Sequence, residues 1–186
     1  ILLLCFLTTI LNAQQDSFPQ DTDKKNEITL TPLVLIVSGW ADISYEYLIN
    51  NKSSFGVDVQ FNDNKKIFDS DGDSVPNRDY RNFSITPNYR VYFSNKYARG
   101  FFVEGFGMLH KYRGYFYTGV PYSDDYVQTK KLTNFSIGIS IGNKWVTKKG
   151  FVAEIFGGLG RNLFNFDDKD PSNLALRGGI SFGKRF

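Results

Sequence analysis

From about Glu27 onward, hydrophobic and polar residues alternate one by one, and no apolar recurrence at helical spacing competes with that pattern. The last segment is the clearest. Leu174, Leu176, Ile180, Phe182 and Phe186 share one parity, while Ala175, Arg177, Gly179, Ser181, Gly183 and Arg185 share the other. The same division recurs at Phe135, Ile137, Ile139 and Ile141 against Asn134, Ser136, Gly138, Ser140 and Gly142. It recurs again at Phe83, Ile85, Tyr89, Val91 and Phe93, at Phe55, Val57, Val59 and Phe61, and at Ile43, Tyr45, Tyr47 and Ile49. With Glu27 to Val37, Gly100 to Tyr112 and Gly150 to Leu163 added, the pattern predicts an all-β chain of about eight strands, the lower end of the range for transmembrane barrels. Pro32 and Pro87 fall inside predicted strands, where a missing N–H predicts a bulge or the end of the wall.

Alternation alone does not say which face points outward, since a water-soluble barrel with an apolar interior has the same period. The make-up of the polar face decides. It is rich in Gly, Ser and Asn with isolated charges of both signs, as suits the narrow interior of a closed eight-stranded barrel, whereas the other face carries bulky Phe, Tyr, Ile and Leu. The expected fold is therefore a closed, up-and-down antiparallel transmembrane β-barrel with its apolar face outward. Aromatics such as Tyr45, Tyr47, Tyr89, Phe93, Tyr97, Phe101 and Trp145 are read as wall and girdle residues.

The connections agree. Asn50 to Lys52, Ser94 to Arg99 and Thr147 to Lys149 are short, whereas Asn62 to Asp79, Arg113 to Lys130 and Phe164 to Asn173 are longer; Ser38 to Ala41 alone is short against the alternation. Outer-membrane barrels have short periplasmic turns and longer external loops, so both termini are expected on the periplasmic side. The three short turns contain Lys52, Lys96, Arg99, Lys148 and Lys149 and no acid, while the long loops are rich in Asp.

Ahead of the strands, residues 1–13 form an apolar run that is too short to cross a bilayer as a helix and ends in Leu11-Asn12-Ala13 before the polar Gln14-Gln15-Asp16. This reads as a signal peptide whose start is missing, followed by a polar linker over 14–26 and the barrel over 27–186. Export to the outer membrane of a Gram-negative bacterium follows, and Cys5 leaves with the leader.

Composition narrows the chemistry. One Cys, one His and one Met exclude a Cys/His zinc site, and a formal charge of +3 with scattered bases gives no support for nucleic-acid binding. Among the inward parities stand Glu46, Asp58, Glu104 and Glu154 with Arg90, Arg177 and Arg185, which are expected to pair as a lumenal charge network that plugs the barrel. In the first long loop Asp69, Asp71, Asp73 and Asn77 set oxygens at alternate positions, as a calcium ion would require. That segment resembles the Asp-rich loops of thrombospondin type 3 repeats, although Ser74 and Tyr80 stand where an EF-hand needs Gly and Glu. Apart from this weak calcium site, no cofactor is expected. His110 lacks the His-x-Ser partner of an outer-membrane deacylase, so no enzyme activity is expected and His110 is placed near the outer rim. Tyr112, Tyr115, Phe116, Tyr117, Tyr122 and Tyr126 are read as a loop cluster suited to surface recognition.

The chain resembles the small eight-stranded outer-membrane barrels of the OmpA and OmpX type. More closely, it resembles a group of uncharacterised Gram-negative barrel proteins, through Ser44-Tyr45-Glu46-Tyr47, Gly100-Phe101-Phe102-Val103-Glu104-Gly105-Phe106-Gly107 and Lys144-Trp145-Val146-Thr147-Lys148-Lys149-Gly150-Phe151. Terminal Phe186, with Phe182 and Ile180 in phase, is similar to the signal read by the barrel-assembly machinery, with Lys184 departing from the usual apolar residue. The resemblance implies a location and a fold, with outer-membrane lipids and that machinery as partners, and no particular chemistry. The expected role is a non-catalytic one in the envelope, structural or adhesive. The alternatives are a small solute or ion pore, a lipid-modifying enzyme, and a soluble periplasmic barrel holding a hydrophobic ligand.

Overall fold

Single-residue alternation becomes a wall with two faces in the computed structural model, which describes residues 23–32, 41–62, 80–117, 127–165 and 174–186. The strands are β1 (Asn26–Leu30), β2 (Ala41–Leu48), β3 (Ser53–Phe61), β4 (Tyr80–Tyr92), β5 (Gly100–Tyr117), β6 (Val127–Val146), β7 (Phe151–Asn165) and β8 (Leu174–Arg185). Each pairs antiparallel with the next, and β8 pairs with β1, so the fold is a closed eight-stranded up-and-down barrel. Every strand is paired on both sides, although the β5–β6 ladder runs past its neighbours, so that among the described residues 114–117 and 127–133 pair only with each other.

Short turns join β2 to β3, β4 to β5 and β6 to β7 at one end of the cylinder. In the last of these, Gly150 adopts φ +81°, a left-handed conformation that disfavours a side chain, and its N–H bonds the Thr147 carbonyl at 2.8 Å. The expected leader, the linker up to residue 22, the Asp-rich calcium segment, Tyr122 and Tyr126 lie outside the described residues.

The two faces sort as the parities require. Ile43, Tyr47, Phe55, Ile139, Ile141, Trp145, Leu159, Leu176 and Phe182 stand exposed on the outside, whereas buried polar and charged side chains far outnumber buried apolar ones among the described residues. This inverts the usual arrangement of a water-soluble domain.

Four details differ from the sequence reading. Strand β5 runs on to Tyr117 and β6 starts at Val127, so Tyr112, Tyr115, Phe116 and Tyr117 belong to a strand, because the β5–β6 ladder continues straight through Arg113-Gly114. At Pro87 there is no bulge. The β4–β5 register is the same before it (Ile85 with Leu109) and after it (Asn88 with Phe106), and the bulge lies instead between Arg81 and Phe83. The absent N–H interrupts the bonding locally without shifting the strand. β1, by contrast, stops at Leu30, just before Pro32.

The third difference concerns the interior, which is not filled by small residues alone. Phe102 and Phe106 point inward and are buried, and the room for them comes from glycines on neighbouring strands. A Cβ on Gly138 would stand 2.5 Å from the Phe106 ring, and one on Gly142 would collide with the ring of Phe102. Fourth, Tyr97 and Arg99 leave the rim. Tyr97 packs against a buried cluster of Leu48, Tyr92, Ala98 and Phe102, and Arg99 is itself buried. Ala98, at φ +42° and fully buried, is held by its N–H to the Asn51 carbonyl at 2.8 Å. The β4–β5 turn thus folds in beneath the barrel and seals the turn end with an apolar stopper.

Candidate functional site: the lumenal charge network

Above that stopper the strands present charged side chains to one another across the lumen. Every strand supplies at least one: Glu27 from β1, Glu46 from β2, Asp58 from β3, Arg90 from β4, Glu104 from β5, Lys144 from β6, Glu154 from β7, and Arg177 with Arg185 from β8. Five carboxylates therefore interleave with four cations, all of them shielded by the wall.

Arg90 is the hub. Its Nε donates to Glu104 Oε2 at 2.6 Å, and Nη1 donates to Glu46 Oε2 and to Glu154 Oε2, each at 2.8 Å. Lys144, two strands away on β6, shares Glu46 and Glu154 with Arg90 and adds Glu27, with Nζ 2.7 Å from Glu27 Oε2, 2.6 Å from Glu46 Oε2 and 3.7 Å from Glu154 Oε2. Tyr92 completes Glu46 through its hydroxyl, which donates to Oε1 at 2.5 Å. Arg185 donates through Nε to Glu27 Oε1 at 2.6 Å and through Nη2 to the Ala98 carbonyl at 2.8 Å, tying the network to the stopper.

Nearer the loop end, Arg177 bridges Asp58 and Glu104, lying 2.9 Å from Glu104 Oε1. Asn88 donates to Asp58 Oδ2 at 3.1 Å. Beyond it, Ser84 donates to Gln60 Oε1 at 3.0 Å and Gln60 donates to Asp42 Oδ2 at 2.9 Å. The inward aromatics take part as well. The guanidinium of Arg90 lies 4.6 Å from the Phe102 ring centre, and that of Arg177 lies 5.0 Å from Phe106 and 5.1 Å from Phe156. Arg90 and Arg177 are thus held by carboxylates and by neighbouring aromatic rings, which compensates for the loss of water.

The structure brings together all seven residues singled out from the sequence, Glu46, Asp58, Arg90, Glu104, Glu154, Arg177 and Arg185. Sequence reasoning missed Glu27, Lys144 and Tyr92. The first two lie on the polar parity of their strands, two residues beyond Ser or Gly on β6 and at the start of β1, so extending each parity to the strand end finds them. His110 is buried and points inward, opposite Ser84 on β4 and Asn134 on β6 in the register. Ile180 and Phe182 share the outer parity of β8 and Phe186, one residue past its end, continues it, with Phe182 and Phe186 half exposed. Among the described residues no group of three or more His, Cys, Asp or Glu is placed to hold a metal ion.

The arrangement cross-links the wall and sets fixed, paired charges of both signs across its bore. Compared with known proteins, the chain matches no curated protein and no solved structure. One family model matches residues 1–171, nearly the whole length. The chain, an eight-stranded barrel with a charge-bridged lumen, belongs to the family described as protein of unknown function, DUF3575.

Proposed function

We propose that this protein is an integral outer-membrane barrel of the OmpA and OmpX kind, with a closed lumen and a non-catalytic role in the envelope, structural or adhesive. The observation that carries the reading is the inversion of the two faces of a closed barrel. Large apolar side chains ring the outside, Ile139 at 62% exposure and Leu176 at 68%, while Arg90, Lys144, Glu104 and Arg185 are sealed within. In water such a belt far exceeds the apolar patches that monomers tolerate, whereas acyl chains match it. The same inversion argues against a soluble barrel holding a greasy ligand, because the bore is lined with ions and amides.

The lumenal network supports a plug in preference to a pore. Arg90, Lys144 and Arg177 each bridge carboxylates on different strands, so a solute would have to break several desolvated ion pairs to pass, and the turn-end stopper would still bar its way. The short turns face the periplasm in this reading, and the signal peptide and the Phe186 assembly signal belong to it too. Cell fractionation is the direct test. The mature protein is expected in the outer-membrane fraction with heat-modifiable gel mobility; a soluble periplasmic protein with fixed mobility overturns the proposal.

A further inference from the structure

We infer that the turn-end rim of the barrel binds anionic glycerophospholipid headgroups of the leaflet it adjoins. The inference rests on the membrane reading above and deepens it. Lys25, Lys52, Lys149 and Lys184 are all exposed and all stand at the turn end, at the foot of β1, at the foot of β3, in the β6–β7 turn and near the end of β8. The backbone fixes their level. The Lys25 carbonyl accepts from Leu48 N and the Lys52 carbonyl from Tyr92 N, each at 2.8 Å, and Lys184 Nζ donates to the Lys149 carbonyl at 2.7 Å.

What leaves this rim basic is the fate of its acids. Glu27, Glu46, Glu104 and Glu154 lie at the same end of the strands, yet all four are turned into the lumen and matched there by Arg90, Lys144, Arg177 and Arg185. Among the described residues the exposed acid at this end is Asp23, set against the four lysines and against Lys24 and Lys148 beside them. The inner network thus removes carboxylates that would otherwise screen the outer lysines.

Two further features point to a lipid surface. Exposed aromatics sit at the same level, Phe93 tilted against Phe101 at 5.9 Å between ring centres, with Trp145 and Phe151 beyond. Lys184 lies 4.2 Å from the Phe151 ring centre on the outer wall, with its ammonium reaching toward the turn, the posture of a lysine at the boundary between acyl chains and headgroups. Lys149, Lys184 and Lys25 follow one another at the feet of the neighbouring strands β7, β8 and β1, with Lys52 two strands on at the foot of β3, so the four form an arc along the outer rim. Such an arc fits the plane of phosphates that a lipid leaflet presents.

The test uses the whole mature protein refolded into bilayers of equal phosphatidylcholine and phosphatidylglycerol, with the lipids that accompany it into the gas phase read by native mass spectrometry. Wild type is expected to retain phosphatidylglycerol over phosphatidylcholine by about fivefold or more, the effect of a single lysine at an anionic surface. The variant Lys25→Gln/Lys52→Gln/Lys149→Gln/Lys184→Gln, checked for unchanged heat-modifiable mobility, is expected to fall to the bulk ratio. Wild type that inserts and carries lipids in the bulk ratio overturns the inference while leaving the membrane reading intact. Failure to insert even into pure phosphatidylcholine overturns the membrane reading itself. Retention of inorganic polyphosphate by detergent-solubilised protein, with no lipid preference in bilayers, also overturns the inference, since the basic rim then serves a soluble polyanion.

Discussion

Arg90 holds carboxylates from three other strands on two of its nitrogens, with Phe102 against its face. Replacing a buried pair wholesale by apolar side chains is often neutral, but removing one partner strands the rest without compensation. Arg90→Leu leaves Glu46, Glu104 and Glu154 gathered around an apolar stub and is expected to lower stability by about 3–5 kcal/mol. Urea unfolding of the vesicle-refolded protein measures this, and an unchanged midpoint would show that the network carries little weight. Why Arg90 was legible and Lys144 was not is a matter of position. Arg90 stands amid a well-marked alternation, whereas Lys144 follows inward positions held by Ser and Gly and lies near the end of β6, close to the basic Thr147 to Lys149 turn, so its charge reads with the turn. The inward aromatics were hidden for a different reason. In Phe101-Phe102 both parities are aromatic, and only the pairing with glycines on β6 reveals which ring goes inside.

At the scale of strands, β5 and β6 are complementary surfaces, one bearing Phe102 and Phe106, the other Gly142 and Gly138 opposite them in register. Gly138→Leu is expected to overpack this layer and cost about 1–3 kcal/mol. Combining it with Phe106→Ala should recover part of the loss, and a double-mutant cycle reads that coupling; additive losses would place the two side chains apart. On the other face of the same strand, Ile139→Arg is expected to cost about 2–4 kcal/mol in a bilayer if the proposed placement holds. No cost on equilibrium unfolding from vesicles would mean that this face does not meet acyl chains. Strand identities and turn positions were legible because a period of two is local. The length of β5 and β6 was not, since Arg113-Gly114 has the look of a turn and only the continuous cross-strand ladder carries the chain past it.

Considered whole, the molecule combines a sheet closed on itself, a bore bridged from every strand and a turn tucked under one end. On the proposed envelope placement these make a rigid post and not a channel. Planar-bilayer recordings of the refolded protein are accordingly expected to show no stable, large conductance step. A steady open level would return the solute-pore reading to first place.

The cylinder is hooped shut along a brief stretch of β1 and β8. Its described seam consists of Glu27 through Leu30 against Phe182 through Arg185, extended by the mutual bonds of Asn26 and Phe186 at 3.0 and 2.8 Å. Glu27 is the rivet there, clasping Arg185 beside it and Lys144 from β6. Tension applied to the amino-terminal side should peel β1 away before any other stave yields. In single-molecule pulling, Glu27→Gln is expected to weaken that first rip and leave the later ones at their former force.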